Sequence, residues 1–180
     1  TSIGIPACGE FECAMAASLR EKMFFRRLLH GEHVSRAANA TDTLTQLRFN
    51  IAKQMRNYSY LIGDLEKKEC WVVDACWDVN GILNEAKKEG LKVVGSFCTH
   101  YHFDHCGGEI PPMYLQMIGL PVRQFTLEGV KELLDAAEGS VAYVHELDAN
   151  QVIKQTGIES SRVQKTQDGE IYTLGAITLK

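Results

Sequence analysis

The chain of 180 residues has no long apolar run: no segment approaches the roughly 18 consecutive apolar residues that a membrane-crossing helix needs. It also has no charged start followed by an apolar stretch, so no secretory leader is signalled. An excess of positive charge is missing too. With a formal net charge of -4, the sequence argues against nucleic acid or an anionic membrane as partner, since both demand a basic patch. The six cysteines include no C-x-x-C pair, which excludes a zinc knuckle and gives no disulfide framework. They read as reduced thiols. The expectation is a cytoplasmic protein, with the mitochondrial matrix as the alternative, acting on a small molecule. The segment "SLREKMFFRRLL" carries Arg20, Lys22, Arg26 and Arg27 as a transit peptide would, but Glu10, Glu12 and Glu21 favour a plain amphipathic helix.

What is present is an ordinary globular composition, 45% hydrophobic, without internal repeats or low-complexity linkers. Met15, Leu19, Met23, Phe24 and Leu28 recur at helical spacing and predict a helix over residues 10–30, stopped by Gly31. Residues 31–50 read as loop, with at most a short strand near "TQLRF". Strands are predicted at "NYSYLIGD" and "CWVVDA", joined by the polar hairpin link "LEKKE". Asp78 then caps a helix over residues 79–89 whose stripe is Val79, Ile82, Leu83 and Ala86, with Gly90 as its stop. "LKVVGSFCT" is a mostly buried strand. Strand, helix and strand over this length make a right-handed parallel crossover, hence an α/β fold with a mixed sheet and outer helices. Further along, Leu127, Val130, Leu133, Leu134 and Ala137 predict a second helix, followed by a strand at "VAYVH" and a helix over residues 149–155 capped by Asp148 and stopped by Gly157. "RVQKT", "EIYTL" and "AITLK" read as strands, with Asp168 and Gly169 as a hairpin turn.

At the carboxyl end of the crossover's second strand stands "THYHFDHCGG", where open α/β sheets tend to bind ligands. His100 and His102 are two apart, so on an extended segment both imidazoles leave one side and converge on one cation. Asp104 and His105 follow where the chain must turn, aided by Gly107 and Gly108, and can address a second cation. Imidazole with carboxylate suits zinc, and also manganese or iron. A carboxylate among imidazoles points to a catalytic rather than a structural site. Cys106 reads as a small buried filler. With six histidines and eight aspartates in the chain, chance placement of this pattern has a probability of roughly a few in ten thousand. A polar loop whose histidines only satisfy backbone groups is the bland alternative; it leaves several polar groups costly to desolvate without a cation or mutual hydrogen bonds.

"THYHFDHCGG" resembles the Thr-His-x-His-x-Asp-His-x-Gly-Gly signature of the metallo-β-lactamase fold superfamily, and "NYSYLIGD" with "WVVDA" resembles the first strands of its glyoxalase II (hydroxyacylglutathione hydrolase) branch. The resemblance implies an αββα sandwich, of which this chain is the N-terminal portion: residues 1–50 a helix and extension, residues 51–180 the domain, truncated at its C-terminal end. It implies His100 and His102 as ligands of one metal position, Asp104 and His105 of a second, with two zinc ions per intact site. Asp74 matches the aspartate that supports the metal loop; on the residues alone it would make an ordinary strand-end hydrogen bond. The implied reaction is attack of a metal-bound hydroxide, oriented by Asp104, on a thioester such as an S-acylglutathione or a related ester.

Other readings are a mononuclear iron dioxygenase acting on a persulfide, since relatives of glyoxalase II share the motif, and a truncated, non-catalytic metal-binding or interaction protein. The chain begins with Thr1 and stops at "LGAITLK" within an alternating pattern, before the resemblance's remaining ligands would come. The expectation is that these 180 residues alone are inactive and leave an apolar sheet face exposed. His30, His33 and His145 read as surface or satisfied structural residues.

Overall fold

The computed structural model describes residues 21–117 and 125–180. Its centre is a mixed six-stranded sheet. The first strand, β1 (Met23–Leu29), is followed by helix α1 (Thr43–Met55), then β2 (Tyr58–Asp64) and β3 (Glu69–Val73). Helix α2 (Val79–Lys88) leads to β4 (Lys92–Cys98), and a single turn, α3 (Phe103–Cys106), to β5 (Gly108–Glu109). Then come α4 (Pro112–Met117), β6 (Thr126–Leu127), α5 (Val130–Ala136), β7 (Val141–His145), α6 (Glu146–Thr156), β8 (Val163–Thr166), β9 (Tyr172–Leu174) and β10 (Ile177–Leu179). The large sheet runs β1-β2-β3-β4-β7-β8. Its first three strands are antiparallel, and β3, β4, β7 and β8 are parallel. Parallel strands need crossovers, and α2 and α6 supply two of them over one face. The expected mixed sheet with outer helices is therefore present.

Alternation sorts the side chains between the two faces. Leu28, Leu61, Val72, Ala142 and Val144 point toward the helices and meet Ile82, Ala86, Leu133, Leu134, Ala149 and Val152, all at most 1% exposed. The opposite face is aromatic. Trp71 packs edge-on to Phe97 with ring centroids 5.4 Å apart, Phe97 stacks on Tyr143 at 4.4 Å, and Tyr172 of the β9–β10 hairpin lies against both. Ala176 N–H donates to Asp64 at 2.7 Å, which ties that hairpin to the end of β2.

Three expectations are corrected. Residues 23–29 are a strand, not helix; the rest of the expected helix, residues 10–20, lies outside the described residues. Phe24 and Leu28 fit both periods, and pairing with β2 along seven residues decides for the strand. Arg26 then reaches α2, bonding Glu85 at 3.2 Å and Glu89 at 2.6 Å, while Phe25 and Arg27 face Tyr60 and Tyr58 on the other side. Residues 43–50, within the stretch read as loop, are helical and begin α1. Asp42 caps it by accepting from Thr45 N–H at 2.9 Å, and Leu44, Leu47, Ile51 and Met55 carry a helical spacing that the polar residues between them obscured. The hairpin turn is also misplaced. Asp168 and Gly169 do make a turn, but β8 joins β7 and the hairpin partner of β9 is β10, around Gly175. Smaller shifts occur at α5, which starts at Val130, leaving Leu127 in β6, and at α6, capped by His145 rather than Asp148. The residue 50 boundary falls inside α1, and β1 and β2 share one sheet across it. Among the described residues, no helix is long and apolar enough to cross a membrane.

His30, just past β1, is 2% exposed and sits between two hydroxyls, with Nδ1 2.7 Å from Ser35 Oγ and Nε2 3.0 Å from Ser59 Oγ. Burial first, and the neighbouring charge of His105 second, lower its pKa from 6.5 to about 4. Between those values the unfolded chain binds the extra proton and the folded one does not, so stability is complete above the unfolded value and declines as pH falls. The loss expected from His30 by about pH 4.5 is on the order of 2 to 3 kcal/mol. Urea unfolding at pH 7 and pH 4.5 measures it: the acid penalty should shrink in His30→Gln, and an identical penalty in both chains would refute the assignment to His30.

Candidate metal centre

The site begins where β3 ends. Asp74 follows that strand with φ 55°, a left-handed backbone that costs a non-glycine residue about 1 to 2 kcal/mol. That conformation turns its carboxylate, 4% exposed, toward the end of the adjacent parallel strand β4. There it accepts from Thr99 N–H and from Thr99 Oγ1–H, both at 2.8 Å, and from His105 Nδ1 at 2.9 Å. One carboxylate thus holds both ends of the segment carrying the histidines.

These bonds determine which imidazole nitrogens carry protons. The single hydroxyl proton of Thr99 goes to Asp74, so at the 3.0 Å contact between Thr99 Oγ1 and His100 Nδ1 the imidazole must donate. His105 likewise donates from Nδ1 to Asp74. In the neutral ring, Nε2 of both histidines is left as a bare lone pair, the form that binds metals. Burial first, and then its histidine neighbours His105 and His102, lower the His100 pKa and favour that neutral form. For His105, burial pulls the pKa down, but the hydrogen bond and charge of Asp74, with Asp104 adding, leave it raised.

The four candidate ligands come together. Ring centroids of His100 and His102 are 4.7 Å apart, those of His100 and His105 4.1 Å, and His105 Nε2 lies 3.5 Å from Asp104 Oδ2. His102 is exposed, whereas Phe103 and Cys106 of the same turn are buried, so the turn α3 points its polar residues outward and its apolar ones inward. Among the described residues, no group of three or more His, Cys, Asp or Glu side chains is set as it stands to hold a metal ion. The donor chemistry nonetheless suits one: bare imidazole nitrogens and a carboxylate, gathered within ring contact. Asp104 Oδ2 is engaged instead by Asn57 Nδ2 at 2.7 Å, and the same amide donates to the Asp104 carbonyl at 2.9 Å.

Several residues that hold the turn were not expected. Asn57 and Trp77 both donate to the Asp104 carbonyl, Trp77 through Nε1 at 3.2 Å. Gln155, on α6, bridges the turn's two ends by donating to Tyr101 O at 2.9 Å and Gly107 O at 2.8 Å. Only the asparagine had a signal, as the residue before β2; the others come from distant sequence. The glycine pair is demanded by close approach. A Cβ on Gly107 would lie 2.6 Å from Gly129 Cα, and one on Gly108 2.4 Å from the Gln155 carbonyl. Asp74 bonds well beyond an ordinary strand end. His30 is buried and satisfied, His33 accepts from Leu29 N–H at 3.0 Å, and His145 caps α6.

Comparison with known proteins bears on the family resemblance and the fold. A family model described as the metallo-beta-lactamase superfamily matches residues 53–108. A hydroxyacylglutathione hydrolase of Maricaulis maris is 42% identical over 52 residues, covering 29% of this chain and 20% of that protein. One of Gloeobacter violaceus is 27% identical over 128 residues, 71% of this chain and 38% of that protein. The chain thus spans well under half the length of these relatives. A crystal structure of a metallo-beta-lactamase from Staphylococcus aureus superposes with TM-score 0.53 at 18% identity, over 88% of this chain and 33% of the other, a likeness of fold. The expected resemblance to the metallo-β-lactamase superfamily and its glyoxalase II-like branch holds.

The thiols around the turn are chemically quiet. Burial pushes the Cys106 thiol up to about 12, with Asp74 and Asp104 adding, and raises Cys76 and Cys98 as well. Cys106 donates to Tyr101 O at 3.1 Å, as a filler would. Iodoacetamide at pH 8, read by mass spectrometry, should leave all three unlabelled in the native chain and label them after unfolding; rapid native labelling of Cys106 would contradict a buried neutral thiol.

Proposed function

We propose that this chain contributes part of the catalytic centre of a metal-dependent hydrolase that cleaves a thioester, an S-acylglutathione or a related ester. The observation that carries the reading is the Asp74 network, which leaves Nε2 of His100 and His105 bare beside His102 and Asp104. The similarity to hydroxyacylglutathione hydrolases supports a thioester as the substrate class. His100 and His102 would hold one metal, Asp104 and His105 a second, zinc by preference and iron or manganese as alternatives. Bound zinc supplies Lewis acidity, polarising a carbonyl and bringing the pKa of water toward about 7.

The chain's own residues then have distinct tasks. Asp74 keeps His105 in the Nε2-bare tautomer and fixes its ring. Thr99 does the same for His100. Asp104, with Oδ2 on Asn57 and Oδ1 without a hydrogen-bond partner among the described residues, would offer Oδ1 to the second metal and from there orient the attacking water. A thioester suits such a site because the leaving thiolate, with a thiol pKa of about 8.5, needs little help from an acid.

The test uses the protein containing this chain, loaded with zinc and assayed on S-acylglutathiones and simple esters. Turnover is expected, falling about 100-fold or more in Asp104→Ala. Asp74→Asn should weaken zinc binding about 10- to 100-fold, measured by chelator competition. No turnover with zinc fully bound, no effect of Asp104→Ala, or oxygen consumption on a persulfide by the iron-loaded protein in place of hydrolysis would overturn the proposal.

A further inference from the structure

Asp74 is held at its carbonyl as well as at its carboxylate, and the group that holds the carbonyl belongs to a buried relay. Ser59 Oγ lies 2.6 Å from Asp74 O, and a carbonyl can only accept, so the one proton of Ser59 points there. At its 3.0 Å contact with His30 Nε2, Ser59 must therefore accept, which places the His30 proton on Nε2. His30 Nδ1 is then bare and accepts from Ser35 Oγ–H at 2.7 Å. Ser35 is fixed in turn by its N–H, which donates to Asp78 at 2.7 Å. Every proton in the line Ser35, His30, Ser59, Asp74 points the same way, and His30, Ser35 and Ser59 are at most 2% exposed.

The line ends on a strained residue. With φ 55°, Asp74 is kept in its left-handed conformation by three separate attachments: its N–H to Phe97 O at 2.9 Å, its carbonyl to Ser59, and its carboxylate to Thr99 and His105. Such strain persists only where the surroundings over-determine it. Releasing the carbonyl removes one of the three attachments that hold this conformation and loosens the seat from which the carboxylate fixes His105.

We infer that His30 and Ser59 are positioning residues for the candidate metal centre, setting the Asp74 backbone and through it the tautomer and ring orientation of His105. This rests on the reading of His105 as a metal ligand for its purpose, though not for its geometry. The relay lies far from His105 in sequence, arriving from β1 and β2, and touches no candidate ligand itself. Its hydrogen bonds reach the site only at Asp74.

The experiment reads the imidazoles directly, in the metal-free chain at alkaline pH so that the raised pKa of His105 still leaves its ring neutral, by long-range proton–nitrogen NMR. In the wild type, His30 should show the Nε2–H tautomer and His105 the Nδ1–H tautomer with a slowly exchanging proton. In Ser59→Ala, His105 should become a mixture of tautomers, with proton exchange at least about 10-fold faster and zinc affinity lower by about 10-fold. Ser59→Thr, which keeps the hydroxyl, should restore both. Leu133→Ala, a core change away from the site, serves as the control: it lowers stability without altering the His105 tautomer. If Ser59→Ala does not fold, Ser35→Ala removes the first link of the line and should move the same signals in the same direction. An unchanged His105 in the folded variant, or an equal change in Leu133→Ala, overturns the inference. Absence of zinc binding in the wild type would instead overturn the metal reading and leave the tautomer measurement standing.

Discussion

The interaction on which the rest depends is the carboxylate of Asp74 bridging two parallel strand ends. β3 and β4 run side by side, and at their carboxyl ends the backbone no longer satisfies itself through the ladder. Asp74 substitutes for the missing ladder bonds by accepting the Thr99 N–H, and its second oxygen collects Thr99 Oγ1–H and His105 Nδ1–H. A carboxylate meets these demands well, because it only accepts and can take several donors at once. An amide in its place would have to turn an N–H toward groups that are themselves donors.

From that one acceptor the proton positions propagate outward. Thr99 has a single proton and gives it to Asp74, which makes His100 a donor at Nδ1; His105 donates directly. Behind Asp74, the same accounting runs back through Ser59 to His30 and Ser35. The polar groups behind the site therefore form a directed network, built from residues just past β1, within β2, just past β3 and in the turn after β4. Its inner part is buried and fully paired, which is how a low-dielectric interior tolerates polar groups, while its outer part ends on nitrogens left unpaired at the surface.

The sheet makes this possible by giving its two faces different work. Leu28, Leu61, Val72 and Val144 seal one face against the helices, which anchors β3 and β4 in register. The other carries Trp71, Phe97, Tyr143 and Tyr172 in mutual ring contact. Between them, α6 passes close enough behind the turn for Gln155 to clamp its ends, and Gly107 and Gly108 are small enough to let the helix and the Gly129 backbone approach.

Much of this was legible in the residues themselves. The strand "CWVVD", the capped helix after Asp78, the strand "KVVGSFC" and the crowded histidines are local patterns, each set by side-chain period, capping chemistry or spacing. Those rules act within a turn or two of chain, so a sequence reports them unaided, and with them the crowding of the candidate ligands His100, His102, Asp104 and His105. What lay beyond it were matters of partnership. "MFFRRLL" fits a helix or a strand, and only the edge offered by β2 chose; α1 was hidden because its apolar stripe meets little of the core. Gln155, which clamps the turn, and Ser59 and His30, which reach it only through Asp74, carry no local mark of that link. Which nitrogen of His30, His100 and His105 bears the proton was likewise decided by tertiary structure, because a tautomer is set by a hydrogen bond, and the acceptor that orients each line, the carboxylate or carbonyl of Asp74, reaches Thr99, His105 and Ser59 only in the folded sheet.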